Sequence, residues 1–290
     1  MRRRDVLKGM AFGGAAIATV RIVPAMAGPA LDGVGAQLAM LERRHGGRLG
    51  VAILDTGSGR RDGYRDEERF LMCSTFKLLL ASAVLQRVDA GKETLDRRIM
   101  FGKDALLDYA PVTKQHVGPP GMTISELCAA AITLSDNTAA NVLLKEIGGP
   151  QAVTAYARSL GDPLTRLDRT EPTLNRPHGE WDTTTPNAML DDMHKLLLGN
   201  ALSHGSRERL TNWLLQCQTG KHSLHAGLPH DWREGDKTGS GNTATNDVAI
   251  LWPPSRKPLL VTAYCENAKV AAGQRQDVLA EVGRIVATLA

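Results

Sequence analysis

Hydrophobic and polar positions alternate differently at the two ends of the chain and in its middle. Near the start, four apolar residues follow helical spacing up to the glycines of "HGG": Leu31, Val34, Leu38 and Leu41. "RLGVAIL" then reads as a strand. Beyond residue 230, "DWREGDKTGS", "NDVAILWP" and "PLLVTAYC" are three strand-like runs, and their short connections favour antiparallel pairing. A last amphipathic helix has six apolar positions: Val278, Leu279, Val282, Ile285, Val286 and Leu289.

The middle of the chain, from about residue 73 to 216, consists mostly of helical patterns joined by loops. The clearest helices are predicted at Ser74–Ala90, Ser125–Leu134, Thr138–Ile147 and Pro186–Leu198. A long polar stretch between Leu160 and Thr185 has no clear periodicity. A loop of this length inside a compact domain is usually functional or disordered.

These patterns predict an α+β fold. We expect an antiparallel sheet of about five strands, flanked by the N-terminal and C-terminal helices, with a helical subdomain inserted into it. The α/β subdomain would comprise residues 28–65 and 217–290, and the helical subdomain residues 66–216. A cleft between two such units is a natural place for a ligand.

The first 27 residues have the features of an export signal. "RRDVLK" is a twin-arginine pattern, the apolar run "GMAFGGAAIATV" follows it, and "AMA" at 25–27 fits a small-residue cleavage site. The alternative is an uncleaved membrane anchor, but the run is short and rich in glycine, and Arg21 interrupts it. We therefore predict a periplasmic bacterial protein, exported by the twin-arginine route, without stable membrane association.

Removal of this signal leaves a chain with no net charge. The whole sequence has 35 Lys+Arg and 31 Asp+Glu, and residues 1–27 contain five basic residues and one acidic residue, which leaves 30 of each. There is thus no electrostatic case for nucleic-acid binding. Neither the four cysteines nor the eight histidines have the spacing of a zinc site, so we expect no metal and no cofactor. We expect a monomer.

Ser74 and Lys77 are the first candidate for chemistry. Residues three apart on a helix share one face, with about 5–6 Å between their Cβ atoms. A desolvated lysine has a lowered pKa and can serve as a base for a hydroxyl group. The alternative is a capping serine beside a lysine that reaches the surface, because Ser-x-x-Lys occurs about once by chance in a chain of this length.

Two further motifs change the interpretation of this pair. "SDN" at 135–137 lies between two helical patterns, and "KTGS" at 237–240 lies on a strand. Each alone could be an ordinary helix cap or strand end. In this order, the three motifs match the signature of serine penicillin-recognising enzymes. The long loop adds "RLDRTEPTLN", in which Glu171 and Asn175 stand four residues apart, although a solvated charged loop could have this composition.

With its linking stretches, such as "WDTTTPNAM" and "LHAGLPHDWREGDKTGSG", the chain resembles the class A serine β-lactamases over nearly all of residues 28–290. The resemblance implies that Ser74 opens the β-lactam ring to form an acyl-enzyme. Glu171 would activate the deacylating water, with Asn175 sharing its hold on that water. Either Lys77 or Glu171 acting through water could be the acylation base, and both alternatives stay open.

The resemblance also implies roles for the remaining motif residues. Ser135 would relay a proton to the leaving ring nitrogen with help from Lys237. The backbone N–H groups of Ser74 and Ser240 would form the oxyanion hole. Substrate would be bound by Asn137 at its side-chain amide and by the "KTGS" residues at its carboxylate: Thr238, Gly239 and Ser240. Tyr109 would be the aromatic wall of the cleft mouth, unless it is an ordinary half-exposed loop residue.

Three features depart from the family pattern: the two positions that can supply an arginine, and the cysteine pairing. Many members carry an arginine that grips the substrate carboxylate, where this chain has Thr245, and a second group supplies it from the segment that here contains His225. His225 would then contact the carboxylate or merely pack beside the strand. The cysteine partners of Cys73 and Cys128 in related subgroups are also missing, so we expect four free thiols.

Arg169 and Asp182 resemble the ion pair that closes the neck of the long loop, which is a scaffold role.

The predicted function is hydrolysis of penicillins and cephalosporins, and hence antibiotic resistance. A penicillin-binding DD-peptidase is the nearest alternative. Such an enzyme forms the acyl-enzyme but lacks the residues that deacylate it, so the presence of Glu171 and Asn175 argues against this alternative. A non-catalytic peptidoglycan-binding module is a further alternative, and the intact set of catalytic residues argues against it.

Overall fold

The computed structural model describes residues 33–290, so the predicted signal at 1–27 lies outside the described residues. No helix in the described part of the chain is long and apolar enough to cross a membrane. Eight α-helices are present in residues 33–290: α1 Val34–His45, α2 Phe76–Asp89, α3 Ile124–Thr133, α4 Asn137–Ile147, α5 Pro150–Ser159, α6 Pro186–Leu197, α7 His204–Leu215 and α8 Ala272–Ala287.

Five strands form one fully antiparallel sheet in the order β2-β1-β9-β8-β7. Their bounds are β1 Arg48–Asp55, β2 Arg61–Tyr64, β7 Arg233–Ser240, β8 Ala244–Trp252 and β9 Leu259–Glu266. Four short strands make two small ribbons: β3 Phe70–Leu71 with β6 Thr183–Thr184, and β4 Arg98–Ile99 with β5 Met122–Thr123. The predicted α+β class and the sheet of about five antiparallel strands are confirmed.

Side-chain alternation on the strands separates two hydrophobic layers. Because successive strand residues point to opposite faces, Val51 and Ile53 of β1 pack with α1 and α8, whereas Ala52 and Leu54 face the helical core. Both flanking helices therefore cover one face of the sheet, as predicted. The division into subdomains at residues 65/66 and 216/217 stays a prediction.

The helical core is built around α2, whose residues from Phe76 to Leu85 are all buried. The sequence predicted that this helix begins at Ser74, but a 3₁₀ turn at Cys73–Thr75 precedes it. In that turn Cys73 has a positive φ of 46°, a conformation that L-residues other than asparagine, aspartate and histidine rarely adopt. Ser74 is thus held in a tight turn rather than inside the helix.

Candidate active site

One cleft of about 370 Å³ collects most of the residues that the motifs singled out. It is lined by Ser74, Tyr109, Ser135, Asn137, Asn175, Thr219, Ser223, Thr238, Gly239, Ser240, Thr245 and Gln276. These residues come from the turn before α2, the loops around α3 and α4, the long loop, the connection between α7 and β7, and from β7, β8 and α8. Lys77, Glu171 and Lys237 lie behind this wall, and all three are buried.

Ser74 lies between a lysine and a carboxylate. Lys77 Nζ donates to Ser74 Oγ over 2.9 Å, and Ser74 Oγ lies 3.0 Å from Glu171 Oε1 and donates to it. Lys77 Nζ and Glu171 Oε1 are themselves 3.0 Å apart. A hydroxyl held in this way can lose its proton to a base that it already touches.

Lys77 is completely buried, and its ammonium group reaches the second motif. Its Nζ donates to the carbonyl of Ser135 at 2.8 Å and to Asn137 Oδ1 at 2.6 Å. Burial lowers the pKa of Lys77 to about 8, and the nearby Glu171 carboxylate opposes that shift. A lysine with this pKa exists in both protonation states near neutral pH, which suits an acid or base in catalysis.

Glu171 is held at both its backbone and its side chain. Asn141 on α4 donates from Nδ2 to the Glu171 carbonyl at 2.9 Å and accepts the Glu171 N–H at 3.0 Å. Asn175 Nδ2 donates to Glu171 Oε2 at 2.5 Å. The Oδ1 atom of Asn175 is buried and has no protein partner within the described residues, so it is free to hold a small polar group at this point.

Asp136 anchors the second motif although the sequence assigned it no role. Its carboxylate accepts from the Ala139 N–H at 2.8 Å, which caps α4, and from the N–H groups of Val112 and Thr113 at 3.0 and 2.9 Å. The N–H of Asn137 donates to the carbonyl of Tyr109. Asp136 therefore ties the loop of Tyr109 to the motif.

The third motif delivers a second buried lysine to the same cleft. Lys237 Nζ donates to Ser135 Oγ at 3.1 Å and to the carbonyl of Thr238 at 2.7 Å. Burial lowers the pKa of Lys237, and Asp236 beside it opposes this effect. Thr238 Oγ1 contacts Thr219 Oγ1 at 2.5 Å in the adjoining loop. Ser135 Oγ thus connects the two lysines.

Strand β7 runs very close to the turn of Ser74. A Cβ atom on Gly239 would lie 2.7 Å from the carbonyl oxygen of Met72 and 3.2 Å from the Ser74 nitrogen. Asn246 on β8 donates to the carbonyls of Leu71 and Met72 at 2.7 and 3.0 Å. The approach of Gly239 places the Ser74 N–H beside the end of β7. An oxyanion hole needs two N–H groups that are close together in this way.

Comparison with known proteins identifies this arrangement. The model of the Beta-lactamase enzyme family matches residues 34–289. β-Lactamase L2 of Stenotrophomonas maltophilia is 49% identical over 251 residues, 85% of this chain and 82% of L2. β-Lactamase CTX-M-8 of Citrobacter amalonaticus is 47% identical, over 86% of this chain and 87% of its own. An ancestral (GNCA) class A β-lactamase structure superposes with a TM-score of 0.87 at 59% identity and covers 89% of this chain and 100% of its own.

The chain belongs to the class A β-lactamases. Its motif residues Ser74, Lys77, Ser135 and Lys237 meet in one cleft, and the long loop brings Glu171 to the same place. Tyr109 lies at the cleft wall with half of its surface exposed. The catalytic and binding roles assigned to these residues stay predictions.

The neck of the long loop in this β-lactamase is closed as the sequence predicted. Arg169 Nε donates to Asp182 Oδ2 at 2.6 Å, and Asp182 Oδ1 accepts from the N–H groups of Asp168 and Arg169 at 2.8 and 2.9 Å. The Asp182 side chain is fully buried. The carboxylate therefore stabilises the backbone two residues before Glu171.

His225 is not part of the cleft wall of this β-lactamase. Its segment, Leu224–Gly227, is a 3₁₀ turn, and its Nδ1 atom lies 2.7 Å from Glu234 Oε2. Contact with the substrate carboxylate, one of the two alternatives for this residue, stays a prediction. Ser223, just before this turn, lines the cleft, and its buried hydroxyl has no partner among the described residues.

The four cysteines of the β-lactamase are free, as the sequence predicted: Cys73, Cys128, Cys217 and Cys265. Cys73 packs against Gly241, where a Cβ atom would lie 3.2 Å from Cys73 Sγ. Because glycine has no sulfur, no disulfide can form there. Burial raises the pKa of the Cys73 thiol far above its ordinary value, so this cysteine is unreactive although it adjoins Ser74.

Proposed function

We propose that this enzyme hydrolyses penicillins and cephalosporins through an acyl-enzyme on Ser74, with deacylation by a water that Glu171 activates. The observation that carries the proposal is the set of contacts at Ser74 Oγ, which touches both Lys77 Nζ and Glu171 Oε1. Membership of the class A β-lactamases supports the reaction, and with it a role in antibiotic resistance.

In the acylation step, Ser74 Oγ attacks the carbonyl carbon of the ring and loses its proton. Below the pKa of Lys77 of about 8, the lysine is an ammonium group without a free lone pair, and Glu171 is the acceptor in contact with the hydroxyl. Above that pH, a neutral Lys77 can also accept the proton. Both candidate bases are therefore in position, and their shares depend on pH.

The developing oxyanion is stabilised by the backbone N–H groups of Ser74 and Ser240, which the close approach of β7 to the Ser74 turn supports. When the carbon–nitrogen bond breaks, the leaving nitrogen needs a proton. Ser135 Oγ provides it, because Lys77 and Lys237 both donate to this hydroxyl and leave its own proton free to move to the substrate. Lys77 then returns a proton to Ser135 and takes the proton that Glu171 accepted from Ser74, because its Nζ contacts both groups, so Glu171 is a carboxylate again before deacylation.

Deacylation needs a water molecule beside the ester carbon. Asn175 at the cleft wall donates to Glu171 Oε2 directly behind it, and Asn175 Oδ1, which has no partner among the described residues, supplies a further acceptor for such a water. Glu171 takes one proton from the water as oxygen bonds to the ester carbon. The ester bond to Ser74 then breaks, Glu171 passes that proton to Ser74 Oγ, and the ring-opened acid leaves.

A DD-peptidase or a peptidoglycan-binding module would share parts of this cleft but would not turn the substrate over. Steady-state hydrolysis of a chromogenic cephalosporin separates these functions. The proposed function predicts continuous turnover, whereas a peptidase would give a single burst of one equivalent and a binding module no reaction.

We also propose that the enzyme works in the periplasm as a monomer after export by the twin-arginine route. The pattern "RRDVLK" and the site "AMA" support export, and a neutral chain after cleavage fits a soluble periplasmic enzyme. Three of the four free cysteines are buried, which is compatible with an oxidising compartment.

A further inference from the structure

No lysine, arginine or histidine lines the cleft among the described residues, although its proposed substrates carry a carboxylate. Two lysines lie behind the wall, and both are engaged by other groups of the protein. Lys77 is 3.0 Å from Glu171 Oε1, and Lys237 Nζ donates to Ser135 Oγ and to the carbonyl of Thr238. The family's usual arginine is absent at Thr245. A further source of positive potential at this end of the cleft would therefore favour the binding of a carboxylate.

Arg275 on α8 lies directly behind that end. It is 2% exposed, and within residues 33–290 its guanidinium donates only to neutral oxygens. Nε donates to Thr245 Oγ1 at 3.0 Å, Nη1 to the carbonyls of Asn267 and Val270 at 2.9 and 2.7 Å, and Nη2 to the carbonyl of Gly241 at 3.0 Å. A buried charge that is surrounded only by neutral dipoles is not cancelled by an opposite charge, so its positive potential extends to neighbouring groups.

No carboxylate within the described residues forms an ion pair with Arg275. The acid at the end of β9, Glu266, is paired with Arg48 at 2.7 Å and accepts the Leu71 N–H at 3.0 Å. Arg275 also lies in the first turns of α8, where the helix dipole adds positive potential rather than removing it. The field of the guanidinium therefore extends toward the cleft.

Thr245 connects this field to the substrate. It is the second residue of β8, pairs with Ser240 on β7 and is part of the cleft wall. A guanidinium is always a donor in a protein, so Thr245 Oγ1 must accept from Arg275 Nε and is left with its own proton to donate. No acceptor for that proton is found among the described residues, and a hydroxyl polarised by a cation is a stronger donor.

We propose that Arg275 is a positioning residue for the substrate carboxylate: it fixes and polarises the Thr245 hydroxyl, which donates to that carboxylate beside Thr238 and Ser240. Arg275 thus provides from behind the wall the positive charge that the missing arginine would place inside the cleft. The inference rests on the proposed function, because the carboxylate belongs to the proposed β-lactam substrates.

The test compares two chromogenic cephalosporins that differ only in the ring substituent next to the nitrogen, one a carboxylate and the other its methyl ester. For Arg275→Gln, we expect kcat/KM for the carboxylate to fall about tenfold more than for the ester, mainly through KM; tenfold is about 1.4 kcal/mol. Arg284→Gln, which removes an exposed charge from the same helix, should leave the ratio unchanged.

Two further variants keep the test decisive if Arg275→Gln folds poorly. Thr245→Val removes the hydroxyl and should lose the same preference for the carboxylate, whereas Thr245→Ser should retain it. If both residues act as one unit, Arg275→Gln in the Thr245→Val background should add little further loss of preference.

A merely structural role for Arg275 would lower kcat/KM for both substrates by the same factor, and that result would overturn the inference. An unchanged preference in Thr245→Val would also overturn it. Turnover by the unsubstituted enzyme is measured in the same series. Absence of that turnover would refute the proposed function itself, so the two failures are distinguishable.

Discussion

Replacement of Asp182 by asparagine tests how the long loop holds Glu171. The carboxylate makes three hydrogen bonds, to the N–H groups of Asp168 and Arg169 and to Arg169 Nε. The substituted amide would keep one oxygen for the backbone but would lose the charge opposite Arg169. Removing one partner of a buried ion pair costs about 3–5 kcal/mol. The Arg169 side chain is 19% exposed and also donates to the Arg176 carbonyl, so its charge would not be left wholly unpaired. We therefore expect a loss of unfolding free energy near the lower end of this range.

For a chain of this size, a loss of about 3 kcal/mol should lower the Tm by about 6–12 °C. Because Glu171 follows Arg169 by two residues, we expect deacylation to slow more than acylation. Thermal unfolding and mass spectrometry of the enzyme during turnover measure these two effects. Asp191→Asn is the control, because it breaks an exposed pair with Arg61 that should contribute less than about 1 kcal/mol. Equal stability and equal acyl-enzyme levels in Asp182→Asn and the control would refute this reasoning.

Other predictions concern the strand, the core and the signal. Gly239→Ala should reduce kcat strongly with a smaller loss of stability, because its Cβ atom would lie 2.7 Å from the Met72 carbonyl oxygen; normal kinetics would contradict this close packing. Burial raises the pKa of Asp192 to about 8, so the folded protein retains a proton that the unfolded chain loses above about pH 4. Stability should therefore fall as pH rises from about 4 to 8, and Asp192→Asn should raise the Tm at pH 8 but change it little at pH 4; equal shifts at both pH values would be inconsistent with this. Arg3→Lys with Arg4→Lys should leave uncleaved protein in the cytoplasm, as fractionation would show, and unchanged periplasmic activity would count against the twin-arginine route.

Periodicity and motif order were sufficient to predict the sheet, its flanking helices and the principal residues of the cleft. The helix predicted from Ser74 shows one limit of this reasoning, because a 3₁₀ turn and a helix have similar apolar spacing over four residues. His225 shows a second limit of reasoning from the sequence. It lies two residues after Ser223 in the same connection, and only the local turn decides which side chain faces the cleft.

Contacts that depend on tertiary packing could not be predicted from the sequence. Arg275 is about 200 residues from Ser74 and reaches the cleft wall only because α8 packs on the sheet beside Thr245. Asn141 likewise binds Glu171 from a different element, one helical turn after the "SDN" motif. Neither residue belongs to a local motif, so no spacing rule indicated it.

The central claim is that Ser74 forms an acyl-enzyme that only Glu171 removes efficiently. Glu171→Gln keeps the shape of the side chain and removes the base. Loss of this carboxylate should also lower the pKa of Lys77, since Glu171 raises it, and a neutral Lys77 can still support acylation. Mass spectrometry of this variant mixed with a penicillin tests the claim most directly. The account predicts a lasting species heavier by one intact drug molecule and attached at Ser74, whereas sustained turnover, or no adduct at all, would contradict it.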